Sequence, residues 1–585
     1  MVWQREDRFS FEIFSKKHKA IMILFMFFFC VLSVRLFYMQ IIRGNHYQAI
    51  SERQRLHTTR ERAPRGIIYD SSGRPMVGND YTYMILFQPF RQDAAPPECA
   101  IAELSEILNQ DVSQAIARSM RSGRSVTIAK NLTRKEMFRV QEKTLSLSGI
   151  TVAKEPQRLS RHPRINSHVT GYVSQINRAE LDRLRDEGWR LGDQIGRIGI
   201  EGRANRYLRG IDGGRQLVVD VRGRPVQAFQ HIAPQIGSSI HTTINLDLQI
   251  AAYEALQNTS TRRGAVVAID PRTGAVRALV SSPGFDADNF SRDFIRNRQN
   301  PDLPLFNRAL AGRYAPGSTF KIIPFVAALE VLNHNPAVRH RCTGSFQLGD
   351  RYFGCWFREG HGNVNFLQSM ALSCNIYYYH LALELGVSNI ERFARKFHLD
   401  QLTGIDIPGE QRGFIPNPEW KRQRMRTRWL SGDTLIFSIG QGATLVTPLQ
   451  MASLTATVAN RGIARKPFVI QTIVDACGNV EFEATPRYKE PVELADRTWD
   501  LLKQSLVDAV EQGTAWRTRF PNMRVAAKTG TAQNPHGENH AWLIAYAPAD
   551  NPQLAVAVLV ENAGGGGIIA TPIARRIFEV YFNLE

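Results

Sequence analysis

Three short segments constrain this chain more than anything else in it: Ser318-Thr319-Phe320-Lys321, Ser373-Cys374-Asn375 and Lys528-Thr529-Gly530-Thr531. They lie far apart, so a fold that uses them must bring a helix start, a loop and a strand to one point. Together they supply a nucleophile, an amine base, a proton-relay pair and a carboxylate-binding strand, the set that acyl transfer through a serine ester requires. Each alone has an ordinary explanation, such as an N-cap serine followed by a surface lysine. The ordered trio outweighs those explanations.

Residues three apart on a helix share a face, so the spacing predicts Lys321 one turn above Ser318. Tyr314-Ala315-Pro316-Gly317 reads as a turn that opens an α-helix, continued by Ile322, Ile323, Phe325, Val326 and Leu329. Ser318 then stands at the helix N-terminus, where free N–H groups favour developing negative charge. Burial lowers a lysine pKa by disfavouring the charged form, which makes Lys321 a candidate base. Ser373 suits a proton relay and Asn375 a substrate-orienting amide. Lys528, Thr529 and Thr531 on a strand can hold a carboxylate, while Gly530 leaves that strand bare for a substrate backbone.

Cysteine placement is the second informative feature. Cys342, Cys355, His361 and Cys374 form a Cys-x12-Cys-x5-His-x12-Cys pattern, four ligands that suffice for a closed tetrahedral zinc site. A Cys342–Cys355 disulfide and plain buried thiols remain open alternatives.

At 585 residues the chain exceeds what one core covers, which predicts two or more domains. The formal charge of +19 invites a nucleic-acid reading, but no phosphate loop, finger spacing or basic repeat supports it. An anionic membrane or wall surface fits a diffuse positive balance. Residues 564–567 read as a flexible glycine turn, and His540 as a solvated loop histidine.

Residues 20–42 are apolar apart from Ser33, Arg35 and Gln40. At about 1.5 Å per residue that run reaches roughly 34 Å, enough to span a hydrocarbon core of about 30 Å. No small-x-small cleavage site follows, so the run reads as an uncleaved anchor. Lys16, Lys17 and Lys19 precede it, which predicts a cytoplasmic N-terminus and an exported bulk. Beyond the anchor, residues 81–88 read as a strand, and 100–119 and 178–188 as helices. Residues 263–281 read as a β-hairpin. Strands at 541–546 and 554–560 join the Lys528 strand in an antiparallel sheet, and Thr571-Pro572 opens a last helix.

The trio resembles the active-site signature of penicillin-binding proteins and serine β-lactamases. Three further stretches extend the resemblance over nearly the whole chain. They are Arg65-Gly66-Ile67-Ile68-Tyr69-Asp70; Gly196-Arg197-Ile198-Gly199-Ile200-Glu201 with Leu208-Arg209-Gly210; and Ser438-Ile439-Gly440-Gln441-Gly442 with Thr447-Pro448-Leu449-Gln450. They are most similar to those of the class B penicillin-binding proteins of the elongation type, penicillin-binding protein 2. Cys374 departs from the aspartate usual in the second motif.

The resemblance implies an α/β penicillin-binding, β-lactamase-like transpeptidase domain, an antiparallel sheet flanked by helices. That domain would stand on an elongated α+β pedestal behind one N-terminal transmembrane helix. The implied divisions are a cytoplasmic tail (1–19), an anchor (20–42), a non-catalytic, dimerisation-type pedestal (43–230) and the transpeptidase domain (240–585). The implied activity is serine-type D-Ala-D-Ala transpeptidation during lateral wall elongation and cell-shape maintenance, with β-lactams as covalent inhibitors. Ser318 would be acylated, Lys321 would be the base, and Ser373, Asn375 and Lys528 would complete the network. Ser318 and Thr531 N–H groups would form the oxyanion hole; Thr529, Gly530 and Thr531 would bind substrate. No cofactor serves catalysis, and some elongation-type relatives carry structural zinc in the region of Cys342, Cys355, His361 and Cys374. The implied partners are stem peptides as donor and acceptor, a SEDS-type glycan polymerase and other elongation-complex membrane proteins. The implied location is single-pass in the inner membrane with a periplasmic catalytic domain. A D,D-carboxypeptidase shares the motifs; a β-lactam sensor and a wall-complex scaffold are further alternatives.

Overall fold

The computed structural model describes residues 3–43, 56–87, 98–122, 126–144, 150–219 and 225–584. The chain divides into two compact units that interleave in sequence. One comprises Met1–Ala63, Tyr81–Pro156 and Ile211–Gln235; the other comprises Pro64–Asp80, Gln157–Gly210 and Ile236–Glu585. The two units therefore draw on non-contiguous stretches of the chain. Segments that the sequence assigns to the pedestal belong to the unit that carries the three motifs. The pairing explains it: Ile68 and Tyr69 lie in parallel register with Ile240 and His241.

In the first unit, the helix Trp3–Phe37 runs on through a π-helical turn, Tyr38–Ile42. His18–Ile42, with mean hydropathy 2.5, is long and apolar enough to cross a membrane. Strands Leu56–Glu61, Gly213–Val219 and Pro225–Ile232 form an antiparallel sheet. The helix predicted over 100–119 is two helices, Glu98–Ile107 and Ser113–Ser122. Asn109 at φ 49° turns the chain between them, as a short polar side chain tolerates. The predicted strand at 81–88 forms as the end of Pro75–Phe87; Gln88 itself lies outside the described residues.

The second unit is built on a five-stranded antiparallel sheet. In chain order its elements are helix α1 (Leu246–Gln257), strands β1 (Gly264–Ile269) and β2 (Val276–Ser282), and helices α2 (Ile322–Leu332), α3 (Asn375–Lys396), α4 (Pro448–Ala459) and α5 (Asp496–Glu511). Strands β3 (Ala526–Ala532), β4 (His540–Ala547) and β5 (Leu554–Val560) and helix α6 (Gly566–Phe582) complete it. The strand order is β2-β1-β5-β4-β3, which leaves β3 at an edge. Both faces of β5 are buried, so the strand is apolar throughout rather than alternating. Helices α1 and α6 cover one face; α2, α3 and α4 belong to the larger core on the other.

The last helix begins earlier than Thr571-Pro572 predicts. It starts at Gly566 and holds Pro572 inside, with Thr571 Oγ1 bonded back to the Gly567 carbonyl at 2.7 Å. Tertiary contact overrides local propensity there. A Cβ on Gly566 would stand 2.2 Å from the Trp542 carbonyl oxygen and 2.3 Å from that of Gly530.

A buried ion triad ties the early segments of this unit together. Glu201 receives Arg65 Nη2 and Arg158 Nε, each at 2.6 Å, and Glu201 is 1 % exposed. Burial alone would raise the carboxyl pKa, but the two guanidinium groups hold it below its ordinary value. Removing one member of such a group leaves uncompensated buried charge. Glu201→Ala is expected to destabilise the unit by roughly 3–5 kcal/mol, read as a lower midpoint in denaturant unfolding; an unchanged midpoint would refute the triad's role.

Candidate active site

The first motif lies on a 3₁₀ turn, Gly317–Lys321, that leads into α2, and not on the α-helix the spacing predicts. Pro324 supplies the reason. It has no N–H to give the Phe320 carbonyl, so the preceding turn tightens. Side chains three apart eclipse in such a turn, which keeps Ser318 and Lys321 on one side. Thr319 Oγ1 caps the turn on the Pro316 carbonyl at 2.8 Å. Ser318 is partly exposed, whereas Thr319, Phe320 and Lys321 are buried.

Two amines converge on one hydroxyl. Lys528 Nζ is 2.8 Å from Ser373 Oγ, and Lys321 Nζ is 3.3 Å from it. Lys321 Nζ also lies 2.8 Å from the Ser373 carbonyl and 2.7 Å from Asn375 Oδ1. Both lysines are 0 % exposed. Burial pushes the Lys321 pKa down to about 8, opposed by the nearby cysteines. Burial, and then the charge of Lys321, holds Lys528 well below its ordinary value. A neutral amine at Lys321 can donate two hydrogens to the two carbonyl acceptors, which leaves its lone pair free to take a proton. Ser373 adopts φ 55°, a left-handed conformation rare outside glycine, which the surrounding contacts must hold.

The third motif runs along edge strand β3. Thr529 is 6 % exposed, with its hydroxyl 2.6 Å from that of Thr514, whereas Thr531 is exposed. Thr531 is thus open to a substrate group, and Thr529 acts from a buried pair. Gly530 departs from its sequence reading. A Cβ there would come within 2.9 Å of Thr319 Cγ2 and 3.0 Å of both the Pro316 oxygen and Trp542 Cβ. The bare face of Gly530 therefore receives the Gly317–Lys321 turn.

Sequence reasoning missed several supports. Gly317 N–H donates to the Gly440 carbonyl at 2.9 Å, and a Cβ on Gly440 would stand 2.4 Å from the Gly317 oxygen. Gln441 Nε2 bonds the Thr531 carbonyl at 3.1 Å, on the free edge of β3. Trp542 Nε1 donates to the Ala315 carbonyl at 3.0 Å. His540 is not a solvated loop residue. It opens β4, packs edge-on against Tyr314 and accepts the Asn562 N–H at 3.1 Å. Only the Gly-Gln-Gly spacing near 440 hinted at any of this, because the other partners are distant in sequence.

Cys342, Cys355, His361 and Cys374 come together, with their four ligand atoms within 4.8 Å of one another. His361 Nδ1 is 3.5 Å from Cys342 Sγ and 3.6 Å from Cys355 Sγ. A tetrahedral ion bound at about 2.3 Å to sulfur and 2.05 Å to nitrogen sets those atoms about 3.6 Å apart, so the donors fit zinc. Cys342 and Cys355 are free thiols, not a disulfide. The cluster is joined to the second motif beyond Cys374 itself. Asn375 N–H points at Cys355 Sγ at 3.4 Å, and Asn375 Nδ2 donates to the Gly354 carbonyl at 3.1 Å.

Residues 264–579 match the family described as the penicillin-binding protein transpeptidase domain, and 60–242 the penicillin-binding protein dimerisation domain. The peptidoglycan D,D-transpeptidase MrdA of Acinetobacter baumannii is 31 % identical, over 94 % of this chain and 85 % of that one. A chain from a solved peptidoglycan synthase complex, described as coordinating polymerization and crosslinking, is 28 % identical with a TM-score of 0.74. The match covers 97 % of this chain and 99 % of that one. Penicillin-binding protein 2 of Helicobacter pylori, solved with MreC, shares the fold at a TM-score of 0.76 and 22 % identity, over 90 % and 99 % of the two chains.

The tight seat of Gly530 is directly testable. Gly530→Ala is expected to cost about 1–3 kcal/mol of stability through overpacking, measured by thermal unfolding; a neutral substitution would show that the turn and strand are not in the contact described.

Proposed function

Because the chain belongs to the penicillin-binding protein transpeptidases, we propose that it cross-links peptidoglycan stem peptides as a D,D-transpeptidase of lateral wall elongation. The convergence of Lys321 and Lys528 on Ser373, beside the Ser318 turn, carries this reading. Ser318 Oγ attacks the penultimate D-Ala carbonyl while Lys321 Nζ accepts its proton. The developing oxyanion is held by the Ser318 and Thr531 N–H groups. Ser373, bonded to Lys528, passes a proton to the departing D-Ala amine. The exposed Thr531 hydroxyl, backed by the Thr529–Thr514 pair, receives the terminal carboxylate. An amine of a neighbouring stem peptide then attacks the ester, reversing the proton path. β-Lactams acylate Ser318 by the same route.

The apolar helix His18–Ile42 serves as the inner-membrane anchor, with Lys19 at its N-terminal end keeping the N-terminus cytoplasmic and the catalytic unit periplasmic. The polymerising complex in which a relative was solved supports a glycan-polymerase partner of the SEDS type, and the MreC complex of another supports assembly with elongation proteins. Cys342, Cys355, His361 and Cys374 hold structural zinc. Four protein ligands leave no open position, so the ion would stiffen the Ser373–Asn375 loop and take no part in bond making.

The decisive experiment is acylation of the full chain by a labelled penicillin across pH. Ser318→Ala is expected to abolish labelling. With Lys321 held near pH 8, its neutral fraction rises with pH, so the acylation rate should grow about tenfold between pH 7 and 9. Labelling that survives Ser318→Ala, or a rate that falls over that range, would sink the assignment. Paired stem peptides in a product assay then separate cross-linking from trimming.

Metal analysis tests the cluster. One zinc per chain is expected, lost in Cys342→Ser together with much of the acylation rate. Zinc-free protein with oxidised thiols would reject the site.

A further inference from the structure

A second cavity in the motif-bearing unit shares no residue with the three motifs. It holds a water-accessible volume of about 180 Å³ and opens to solvent between the helical segment at 203–207, the loop at 404–406 and the strands at 466–487. A volume of that order seats the acidic end of a longer ligand rather than the whole of it. Its lining holds four cationic side chains, Arg203, Arg206, Lys466 and Arg487, against one carboxylate, Asp406.

That carboxylate feels the charge of Arg203 but forms no direct ion pair with the four cations. Asp406 is turned to the backbone, where it accepts the N–H groups of Val469 at 2.8 Å and Ile470 at 2.9 Å. Arg203 Nε reaches only the Asp406 main-chain carbonyl, at 3.2 Å. Among the described residues, none of the four cations forms an ion pair with a side-chain carboxylate. Arg206 is already oriented: its guanidinium bonds the Tyr207 hydroxyl at 2.6 Å and stacks 4.5 Å from the ring centre. Apolar surface lies beside the charge, from Tyr207, Phe468 and Phe482.

Cations in excess around a concavity repel one another, and a bound anion relieves that repulsion. Guanidinium forks suit planar carboxylates. We propose that this cavity binds a carboxylate-bearing peptide of the wall polymer, its acid groups on Arg206, Lys466 and Arg487 and its apolar portion against Phe468 and Phe482. The source of the carboxylate rests on the transpeptidase reading above; the anion site itself rests on the cavity alone.

The test uses full-length protein whose Ser318 has first been acylated with penicillin, so that the active site cannot contribute. Binding of a purified disaccharide-peptide with free carboxylates is measured by calorimetry. Three probes are compared: that fragment, the same fragment with its carboxyl groups amidated, and inorganic phosphate. Saturable binding of the free acid is expected. Amidation, and separately Lys466→Glu with Arg487→Glu, should each weaken it at least tenfold. Penicillin labelling of the double variant should match the parent, since neither position touches the catalytic groups. Equal binding by acid and amide, or by parent and variant, would overturn the site. Displacement by phosphate at concentrations below those of the fragment would overturn the carboxylate assignment. Failure of cross-linking with retained fragment binding would instead strike the transpeptidase reading and leave the anion site standing.

Discussion

Two fully buried amines directed at one serine hydroxyl are the constraint on which the rest of the site depends. An ammonium ion taken out of water is costly unless it is paired, and among the described residues no carboxylate bonds to Lys321 or Lys528. That cost favours loss of a proton, and the neutral amine is the state a base requires. The neutral amines still need acceptors. The Ser373 and Thr529 carbonyls and the Asn375 amide oxygen supply them, with Ser373 itself held at a positive φ. Catalytic chemistry and loop geometry are therefore one problem in this fold.

That loop is held from two sides. On one, the cysteine–histidine cluster contains Cys374 and reaches Asn375 through Cys355 and Gly354. On the other, β3 carries Lys528 to the Ser373 hydroxyl while packing directly on the Ser318 turn. Glycine sets the second spacing. Gly317, Gly440, Gly530 and Gly566 each stand where a Cβ would meet backbone or side-chain atoms below 3.0 Å, so turn, strand and last helix approach closer than other residues allow. An unusual share of the site's precision comes from atoms that are absent.

The legible parts were those whose signal is local. The 264–282 hairpin, the apolar helix at the N-terminus and the central sheet followed from runs and turns of a few residues. The four metal-type ligands were visible as a spacing. What was not legible depended on distant partners. Pro324 reshapes the turn before it into 3₁₀, a signal present in the sequence but hidden by the helical spacing of serine and lysine. Gly566 starts a helix where Gly530 and Trp542 leave no room for a Cβ. The reason for Gly530 was misread for the same cause: the neighbour that fills its bare face comes from another part of the chain.

Residue chemistry alone determined which groups act: a serine and lysine three apart, a second serine with an asparagine, a lysine-led strand, and thiols at metal-ligand spacing. It could do so because nucleophile, base and ligand character belong to side chains and travel with them into any fold. Only the tertiary structure decided their state. Burial lowered the pKa of two lysines towards that of a base, β3 and its glycines set their reach, and the interleaved early segments joined the unit that carries them. Protonation and distance are properties of surroundings, and those surroundings are assembled from residues far apart in the chain.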